Sequence, residues 1–267
     1  MTHGVSALSV GTLLSRPVGG VLPADPALFG FGGLHGGLAL AMLTSAMQEQ
    51  APERRLRTVT AQFHKPITVD ATVETSTLRA GRTMTTVEGR ASTTADVHDT
   101  ASGIFSPSGP AACPTLTQKP PSAPAPLDCE TFTVPPEFVP IASQTEIRPV
   151  GAARPYAGGA EAELTAWVRL VEDDSRPDAL RLVFLMDALA PSYAAIMSTL
   201  QLVPTVELSV SIDDAAADAV SPWVLLRART RIAGGSGWST EELDAWGPDG
   251  AHLASGRQTR FTRMPST

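Results

Sequence analysis

The same order of elements occurs twice along the chain, once on each side of a proline-rich stretch. In each half, one apolar segment precedes segments in which apolar and polar residues alternate. This alternation, clear in "TVTAQF" (58–63) and "TVELSVSI" (205–212), is typical of strands that bury one face. One apolar helix followed by antiparallel strands implies a sheet wrapped around that helix. The repeated order therefore predicts an α+β fold of two such units, whose sheets can merge edge to edge and so protect exposed strand edges.

The middle of the chain separates these two units. The stretch "PSGPAACPTLTQKPPSAPAP" (107–126) is dominated by Pro, Ala and Ser and repeats at neither strand nor helical spacing, which is typical of a linker. It predicts an N-terminal unit over 1–106 and a C-terminal unit over 127–267. The apolar helices are predicted at 34–49 and 180–197.

The charge and hydropathy of the chain make nucleic acids and membranes unexpected as binding partners. With 27 acidic against 20 basic residues the formal net charge is -7, and no cluster of Lys and Arg stands out, so nucleic acid is not an expected partner. At 43% hydrophobic residues the chain can bury a sizeable core, yet no apolar run approaches the ~20 residues that a membrane span needs. Because the first residues also lack the pattern of a signal peptide, the sequence predicts a soluble, cytoplasmic protein with no membrane partner.

The cysteines and the charged motifs indicate no metal or cofactor. Cys113 and Cys129 lie in or beside the proline-rich stretch without metal-ligand neighbours, so neither a disulfide framework nor a zinc site is predicted. The sequence also contains no phosphate-binding Gly-Lys loop and no cluster of metal ligands. We therefore expect the protein to work without a metal and without a cofactor.

Glycine is concentrated just before the first apolar helix. The segment "FGFGGLHGG" (29–37) contains five glycines and runs directly into that helix. It is either a flexible loop ahead of a core helix or a stretch of backbone that a ligand approaches so closely that side chains would be in the way. Gly36 and Gly37 lie one turn into the helix, where they would let the sheet or the partner helix pack tightly.

A series of short motifs runs through both halves. They are "FGG" (31–33), "GLAL" (37–40), "FHKPI", "LRAGRT", "WVLLRA", "PDGAHLAS" and "RQTRFTR". In their order and spacing they resemble the acyl-CoA thioesterase II family of bacteria, over nearly the whole chain. The resemblance implies a double hotdog, with two tandem units that each wrap an antiparallel sheet around one long helix. It also implies hydrolysis of an acyl-CoA or acyl-carrier thioester, and it leaves assembly into a homo-oligomer open.

The resemblance implies three residues that hold the hydrolytic water. They correspond to Asp187 of "LMDALAP", Thr205 of "VPTVELSV" and Gln258 of "GRQTRF". In this reading the Asp accepts a proton from the water or orients it, while the Thr and the Gln donate the hydrogen bonds that position it. Each residue also has an ordinary structural interpretation: a helix cap for Asp187, a strand start for Thr205 and a polar strand face for Gln258.

The glycine-rich segment is predicted to supply the oxyanion donors. If the helix that begins near Leu34 points its N-terminus at the thioester carbonyl, its N–H groups and its dipole stabilise the developing negative oxygen. Gly32 and Gly33 would allow the close approach of the backbone. His35 is open to two interpretations: it hydrogen-bonds the substrate carbonyl, or it is a helix-start histidine satisfied by the backbone.

Two other functions compete with hydrolysis. Hotdog domains also serve as hydratases and dehydratases, in which a His and an acid move protons; His35 and Asp187 could form such a pair across the two units. A non-catalytic acyl-binding protein is the second rival, because a fold alone does not carry function. One departure bears on the substrate: after "TVELSV" the family carries a His and aromatic residues, whereas this chain continues with the acidic, small residues of 213–222.

Overall fold

The computed structural model describes residues 8–109, 113–171 and 173–262. Within these ranges no helix is both long enough and apolar enough to span a membrane. In chain order the elements are α1 (Val10–Leu14), β1 (Val21–Leu22), α2 (Gly36–Gln48), β2 (Arg55–Phe63), β3 (Ala71–Ala80), β4 (Thr85–Ser92), β5 (Val97–Ser106), β6 (Thr145–Pro149), β7 (Glu163–Leu170), α3 (Ala179–Leu185), β8 (Thr205–Ile212), β9 (Val224–Ala233), β10 (Trp238–Trp246) and β11 (His252–Phe261).

All of these strands belong to a single antiparallel sheet. Its order is β1-β3-β4-β5-β2-β8-β11-β10-β9-β7-β6. The two halves of the chain meet at the central pair, β2 and β8, where Thr60 lies opposite Ser209 and donates a hydrogen bond to its hydroxyl at 2.9 Å. From this pair outward, the first unit continues with β5, β4 and β3, and the second unit continues in the same way with β11, β10 and β9. The predicted α+β double hotdog with merged sheets is thus confirmed.

Helix α2 forms the core of the first unit. The apolar side chains Leu38, Leu40, Leu43 and Met47 are fully buried, and each such side chain contributes roughly 1.5–3 kcal/mol to folding by leaving water. The sheet accommodates them because small residues line its inner face: a Cβ on Gly89 would lie 3.3 Å from the Met47 side chain. The predicted apolar helix at 34–49 therefore lies where the sequence indicates, with its first turn at Gly36.

The helix of the second unit is shorter than predicted. Instead of one long helix over 180–197, α3 ends at Leu185, and a separate 3-10 helix covers Ser192–Ile196. Pro191 prevents a single helix from running through 180–197, because proline lacks the N–H that a continuing helix would use and disfavours helical geometry in the residue before it. The helix α3 itself already ends six residues earlier, at Leu185. The polypeptide between the two helices turns, and this turn contains Asp187.

The proline-rich segment packs against the outer face of the second unit. From 113 to 125 it contains neither helix nor strand, yet two of its carbonyls accept hydrogen bonds from buried indoles. Trp246 Nε1 donates to Gln118 O at 3.0 Å, and Trp167 Nε1 donates to Pro124 O at 2.9 Å. Cys129 is buried in the same small cluster. The segment is therefore part of the packed structure, while the division into domains at 107 and 126 stays a prediction.

Candidate active site

Asp187 lies where the two units meet. Its backbone follows α3, and its own N–H donates to Phe184 O at 3.1 Å. Its carboxylate is turned toward the other unit, where Oδ2 accepts the N–H of Gly37 in the first turn of α2 at 2.8 Å. His35 occupies the N-cap position of α2 but makes no capping hydrogen bond with its side chain. Asp187 therefore supplies the cap that His35 does not, and the cap interpretation holds in an unexpected form: it caps the helix of the other unit.

Glycine is what allows this contact between the units. A Cβ on Gly37 would lie 2.6 Å from Asp187 Cβ and 2.9 Å from Phe184 O, closer than side-chain carbons approach either atom. At Gly36 a Cβ would lie 3.3 Å from both Asp187 Oδ2 and the Phe63 ring. The prediction that these two glycines serve close packing is confirmed for Gly37, where any larger residue would push the helix away from the carboxylate.

Gln258 is in direct contact with Asp187. Its side chain is completely buried on β11, and Nε2 donates to Asp187 Oδ1 at 2.5 Å. The Asp187 side chain, itself 8% exposed, thus receives one hydrogen bond on each carboxylate oxygen. Each oxygen keeps a second lone pair with which it can accept a further donor.

Thr205 joins this cluster through Arg260. The first residue of β8, Thr205 accepts a hydrogen bond from Arg260 Nη1 on its hydroxyl oxygen at 2.9 Å. The same guanidinium donates through Nη2 to Gln258 Oε1, and its Nη2 lies 3.8 Å from Asp187 Oδ1. The structure therefore brings the three predicted residues into one network, in which Asp187 and Gln258 touch and Thr205 is linked to them by an arginine.

A buried carboxylate balances the charge of that arginine. Glu241 on β10 is 1% exposed, and its Oε2 accepts Arg260 Nε at 2.8 Å. Its Oε1 accepts the backbone N–H of Ser192 at 2.5 Å, at the start of the 3-10 helix. Both carboxylate oxygens of Glu241 thus accept a hydrogen bond, which a charged group buried away from water needs.

Sequence reasoning missed Arg260 and Glu241, although the strand pattern contained a signal. On β10, Glu241 alternates with Ser239 and Leu243, which are both buried. On β11, Arg260 follows Gln258 by two residues and so lies on the same face. A charged residue on the buried face of an alternating strand needs a partner, and two such residues on neighbouring strands indicate a buried ion pair.

The donors predicted for an oxyanion are engaged within the fold. The N–H of Gly32 donates to Gly30 O at 3.1 Å, that of Leu34 to Ile67 O at 2.9 Å and that of His35 to Leu28 O at 3.1 Å. Gly33 is needed for packing, since a Cβ there would lie 2.9 Å from Ile67 O. The N–H groups of Gly32, Leu34 and His35 are therefore already engaged, while the role of this segment in substrate binding stays a prediction. The backbone donor that faces Asp187 belongs to Gly37.

His35 lies beside Asp187 from the other unit. Its Nε2 is 3.7 Å from Asp187 Oδ2, and its ring meets the edge of Phe184 with centroids 5.5 Å apart. The other ring nitrogen, Nδ1, is buried and has no hydrogen-bond partner among the described residues. His35 therefore lies within ion-pair distance of the acid but is not hydrogen-bonded to it, and its side chain does not cap the helix.

Tyr156 borders the site near Arg260. Burial raises the pKa of the Tyr156 phenol, and the positive charge of Arg260 opposes that shift in pKa. The phenol donates to Gln201 O at 2.9 Å, in the loop that leads into Thr205. Tyr156 thereby fixes the approach of the chain to the strand on which Thr205 lies.

The first unit has apolar residues where the second has this network. Thr205 on β8 lies opposite Arg260 on β11, and in the first unit Leu56 on β2 lies opposite Phe105 on β5. These pairs are equivalent, because β2 and β8 are the central strands and each pair is the first one beyond the register shift between the central strand and its flanking strand. Leu56 and Phe105 are both buried. Across the described residues, the polar network thus occurs in the second unit, and the first contributes the N-terminus of α2.

No metal site accompanies the network. Within the residues that the structure describes, no group of three His, Cys, Asp or Glu side chains is arranged to hold a metal ion. The chemistry available here is that of a carboxylate, an imidazole, hydroxyl and amide groups and a helix N-terminus.

Three solved structures show how widely this fold is shared. The chain is 20% identical to a hot dog fold protein of unknown function from Alicyclobacillus acidocaldarius, with a TM-score of 0.83 over 95% of this chain and 98% of that one. It is 17% identical to the tesB protein of Mycobacterium avium subspecies paratuberculosis, with a TM-score of 0.75 over 96% and 100%. It is also 17% identical to the acyl-CoA thioesterase II TesB2 of Mycobacterium marinum, with a TM-score of 0.69 over 86% and 90%. At these identities the likeness establishes the fold.

Family membership comes from the sequence itself. No curated protein matches the chain. The family model for the acyl-CoA thioesterase N-terminal domain matches residues 25–106, and the one for the C-terminal domain matches residues 110–261. Because the second match alone covers more than half of the chain, the chain belongs to the acyl-CoA thioesterase family.

Proposed function

We propose that the protein hydrolyses acyl-CoA thioesters to a free acid and CoA, with a water held by Asp187, Thr205 and Gln258. The observation that carries this proposal is the position of Asp187. Its carboxylate is nearly buried at the junction of the units, with Gln258 on one oxygen and the α2 N-terminus on the other. A carboxylate held next to a helix N-terminus places a proton acceptor beside donors for a developing oxyanion.

The reaction needs few groups, because a thioester is already activated toward acyl transfer. Asp187 takes a proton from the water as the water oxygen attacks the carbonyl carbon. The tetrahedral intermediate then collapses, the carbon–sulfur bond breaks, and the proton passes to the leaving thiolate. Positioning of this kind lowers a barrier by several kcal/mol without a covalent intermediate.

Thr205 and Gln258 each keep a donor free for the reaction. The guanidinium of Arg260 can only donate, so the Thr205 oxygen must accept from it and the hydroxyl hydrogen is left to point elsewhere. The Gln258 amide uses one N–H on Asp187 and keeps the second. In our proposal these two hydrogens hold the attacking water next to Asp187, and later the hydroxyl that this water becomes in the tetrahedral intermediate.

The carbonyl oxygen is proposed to lie at the N-terminal turn of α2. The first N–H groups of a helix lack partners inside it, and the dipole favours negative charge at this end. The N–H of Gly37 is already used on Asp187, and Gly36 beside it presents backbone without a side chain. This assigns the oxyanion role to the helix turn itself, two residues later than the sequence indicates.

The pair of His35 and Asp187 favours a second candidate function. At 3.7 Å across the two units, an imidazole and a carboxylate could move protons at the α and β carbons of a 2-enoyl thioester, as in a hydratase or dehydratase. The two candidates differ in product, because hydration leaves the thioester intact and releases no thiol.

One assay separates these candidates. Purified protein is incubated with butyryl-, octanoyl- and palmitoyl-CoA and with the matching 2-enoyl-CoA esters, while free thiol and enoyl absorbance are followed in parallel. Thiol release from the saturated esters supports hydrolysis. Loss of enoyl absorbance without thiol release supports the hydratase instead, and binding of the esters without either change supports an acyl-binding protein.

A further inference from the structure

We propose that Arg260 is a positioning residue of this site, whose guanidinium orients the Gln258 amide and the Thr205 hydroxyl toward the water. This inference rests on the proposed hydrolysis. It concerns a residue that touches neither the water nor the substrate in our mechanism, but that contacts two of the three residues that do.

The amide of Gln258 has two possible orientations, and Arg260 allows one of them. With Oε1 accepting from Arg260, Nε2 faces Asp187 and donates to it. If the amide turned over, its NH₂ group would face a guanidinium that has only donors, and Oε1 would face a carboxylate that has only acceptors. Both contacts would be repulsive, so Arg260 makes the donating orientation toward Asp187 the stable one.

The same logic applies to Thr205. A hydroxyl can both donate and accept, so its orientation depends on its partners. Because Arg260 Nη1 donates to the Thr205 oxygen from the strand opposite, one lone pair is used and the rotation of the hydroxyl is restricted. The hydrogen then points away from Arg260, and we place the water on that side.

Arg260 itself is held rigidly. Its Nε donates to Glu241, and Nη1 also donates to Val203 O at 3.4 Å, so the planar group contacts four different residues with Gln258 and Thr205 included. A lysine has its three donors on one nitrogen and cannot reach partners spread around such a fork. This geometry specifies arginine at this position.

The first unit packs the corresponding place without a charge. The residue equivalent to Arg260 there is Phe105, which is buried and apolar opposite Leu56. Replacing a buried ion pair by apolar side chains is often neutral or stabilising, because desolvation opposes the attraction between the charges. The pair of Arg260 and Glu241 is therefore best explained by the orientation that it imposes on its neighbours.

The test removes Arg260 without leaving a buried charge unpaired. In the double variant Arg260→Met/Glu241→Gln, the glutamine keeps an acceptor for the Ser192 N–H, and the control is Glu241→Gln alone, which keeps the arginine. Steady-state kinetics with octanoyl-CoA, or with whichever of the three esters the wild type cleaves best, are measured well below the melting temperature. We expect kcat to fall about 10²-fold relative to the control while KM changes little, as for a group that acts on positioning.

A second comparison distinguishes positioning from a structural role. Adding Gln258→Leu to the double variant should cost little more, because Arg260 acts through that amide and the two losses are not additive. Arg260→Lys should behave like the methionine variant rather than restore kcat. A melting temperature that falls while kcat stays at the control value, or losses that multiply, would overturn the role of Arg260. A wild type that releases no thiol from any of the three esters would overturn the proposed function, and with it this role.

Discussion

The carboxylate of Asp187 caps the first turn of α2 through the N–H of Gly37, at 2.8 Å and across 150 positions in the sequence. The acid and the helix N-terminus thus come from different units. Neither unit alone contains both, so the geometry of the site depends on how closely the start of α2 approaches the turn after α3.

Asp187→Asn should abolish most thioester hydrolysis. Asparagine keeps the size of the side chain but cannot take a proton from water, and it has one acceptor oxygen for the two donors that now face the carboxylate. We expect kcat to fall on the order of 10²–10⁴-fold, the usual contribution of a positioned base, with substrate affinity nearly unchanged. Steady-state kinetics and a thermal melt measure both effects.

Asp178→Asn is the matched control for that variant. Asp178 caps α3 within the same unit, where its carboxylate accepts the Arg181 N–H, and it lies outside the network. Asparagine also caps helices well, and the partly exposed ion pair with Arg181 that it would lose leaves the second one, from Asp173, in place. The kcat and the stability should therefore stay close to those of the wild type. Full turnover in a folded Asp187→Asn protein would end the mechanism and leave Asp187 as a cap.

Gly37→Ala should separate the two units locally. The added methyl would need the space of Asp187 Cβ and Phe184 O, so one of the two helices must shift. We expect a loss of about 1–3 kcal/mol in the free energy of unfolding, together with a lower kcat, because the carboxylate moves with the helix. Gly235→Ala is the control, since a Cβ at Gly235 would meet no atom within 4 Å. Equal behaviour of the two variants would contradict the close contact.

The pH dependence of stability should include a contribution from His252. Hydrogen bonding to Asp244 is the main cause that raises the pKa of His252, with a smaller contribution from Asp213 and with burial acting against both. A raised pKa means that the stabilisation is complete below the ordinary value of 6.5 and is lost as the pH rises through the folded-state pKa. The difference in unfolding free energy between wild type and His252→Gln should therefore be larger at pH 5.5 than at pH 9. His64→Gln, at an exposed histidine, is the control in urea unfolding at both pH values.

Asp99 should cause a second loss of stability with rising pH, over a more acidic range. Burial raises the pKa of its carboxyl from 3.8 to about 7, so in the folded protein it stays protonated where the unfolded chain ionises. This opposes folding increasingly between about pH 4 and pH 7. Asp99→Asn should remove that decline and be more stable than wild type at pH 8, on the order of a few kcal/mol, with little difference at pH 4. Glu88→Gln, on the exposed face of β4, should leave the slope unchanged.

The proline-rich segment should be tested by substitution at constant length. Replacing 118–124 by Gly and Ser keeps the span but loosens the carbonyls that accept from Trp246 and Trp167. Two weakened hydrogen bonds to buried donors should lower the melting temperature by about 4–8 °C and shift the tryptophan emission to the red. Replacing the exposed residues 114–117 is the control. If both replacements leave the melt unchanged, the segment is only a linker, as the sequence alone suggests.

Local patterns were enough to predict the strands that follow each helix, but not β1, β6 and β7, which precede the helices. The alternation in "TVELSVSI" coincides with β8, because a strand that buries one face must alternate. The apolar content of 180–197 predicted one long helix, because it does not register the turn at Asp187 or the effect of Pro191 on a helix.

The contacts that build the site join different parts of the chain, and local patterns do not predict them. Gly37 and Asp187 are far apart in sequence, and Arg260 meets Thr205 and Glu241 only once three strands are in register. Periodicity shows which face a residue lies on but not which residue of another strand it will meet. The resemblance to a family supplied the three water-binding residues; it could not supply the arginine between them.

The pairing of β2 with β8 has a consequence for the chain if it is cut. A break after Ser108 would leave ten ladder-paired positions, from Thr58 opposite Ser211 to Gln62 opposite Glu207, still joining two separate polypeptides. Such a nicked protein would keep its acid and its helix N-terminus together. The first half synthesised alone would instead present β2 as a bare edge, which is a template for pairing with another chain.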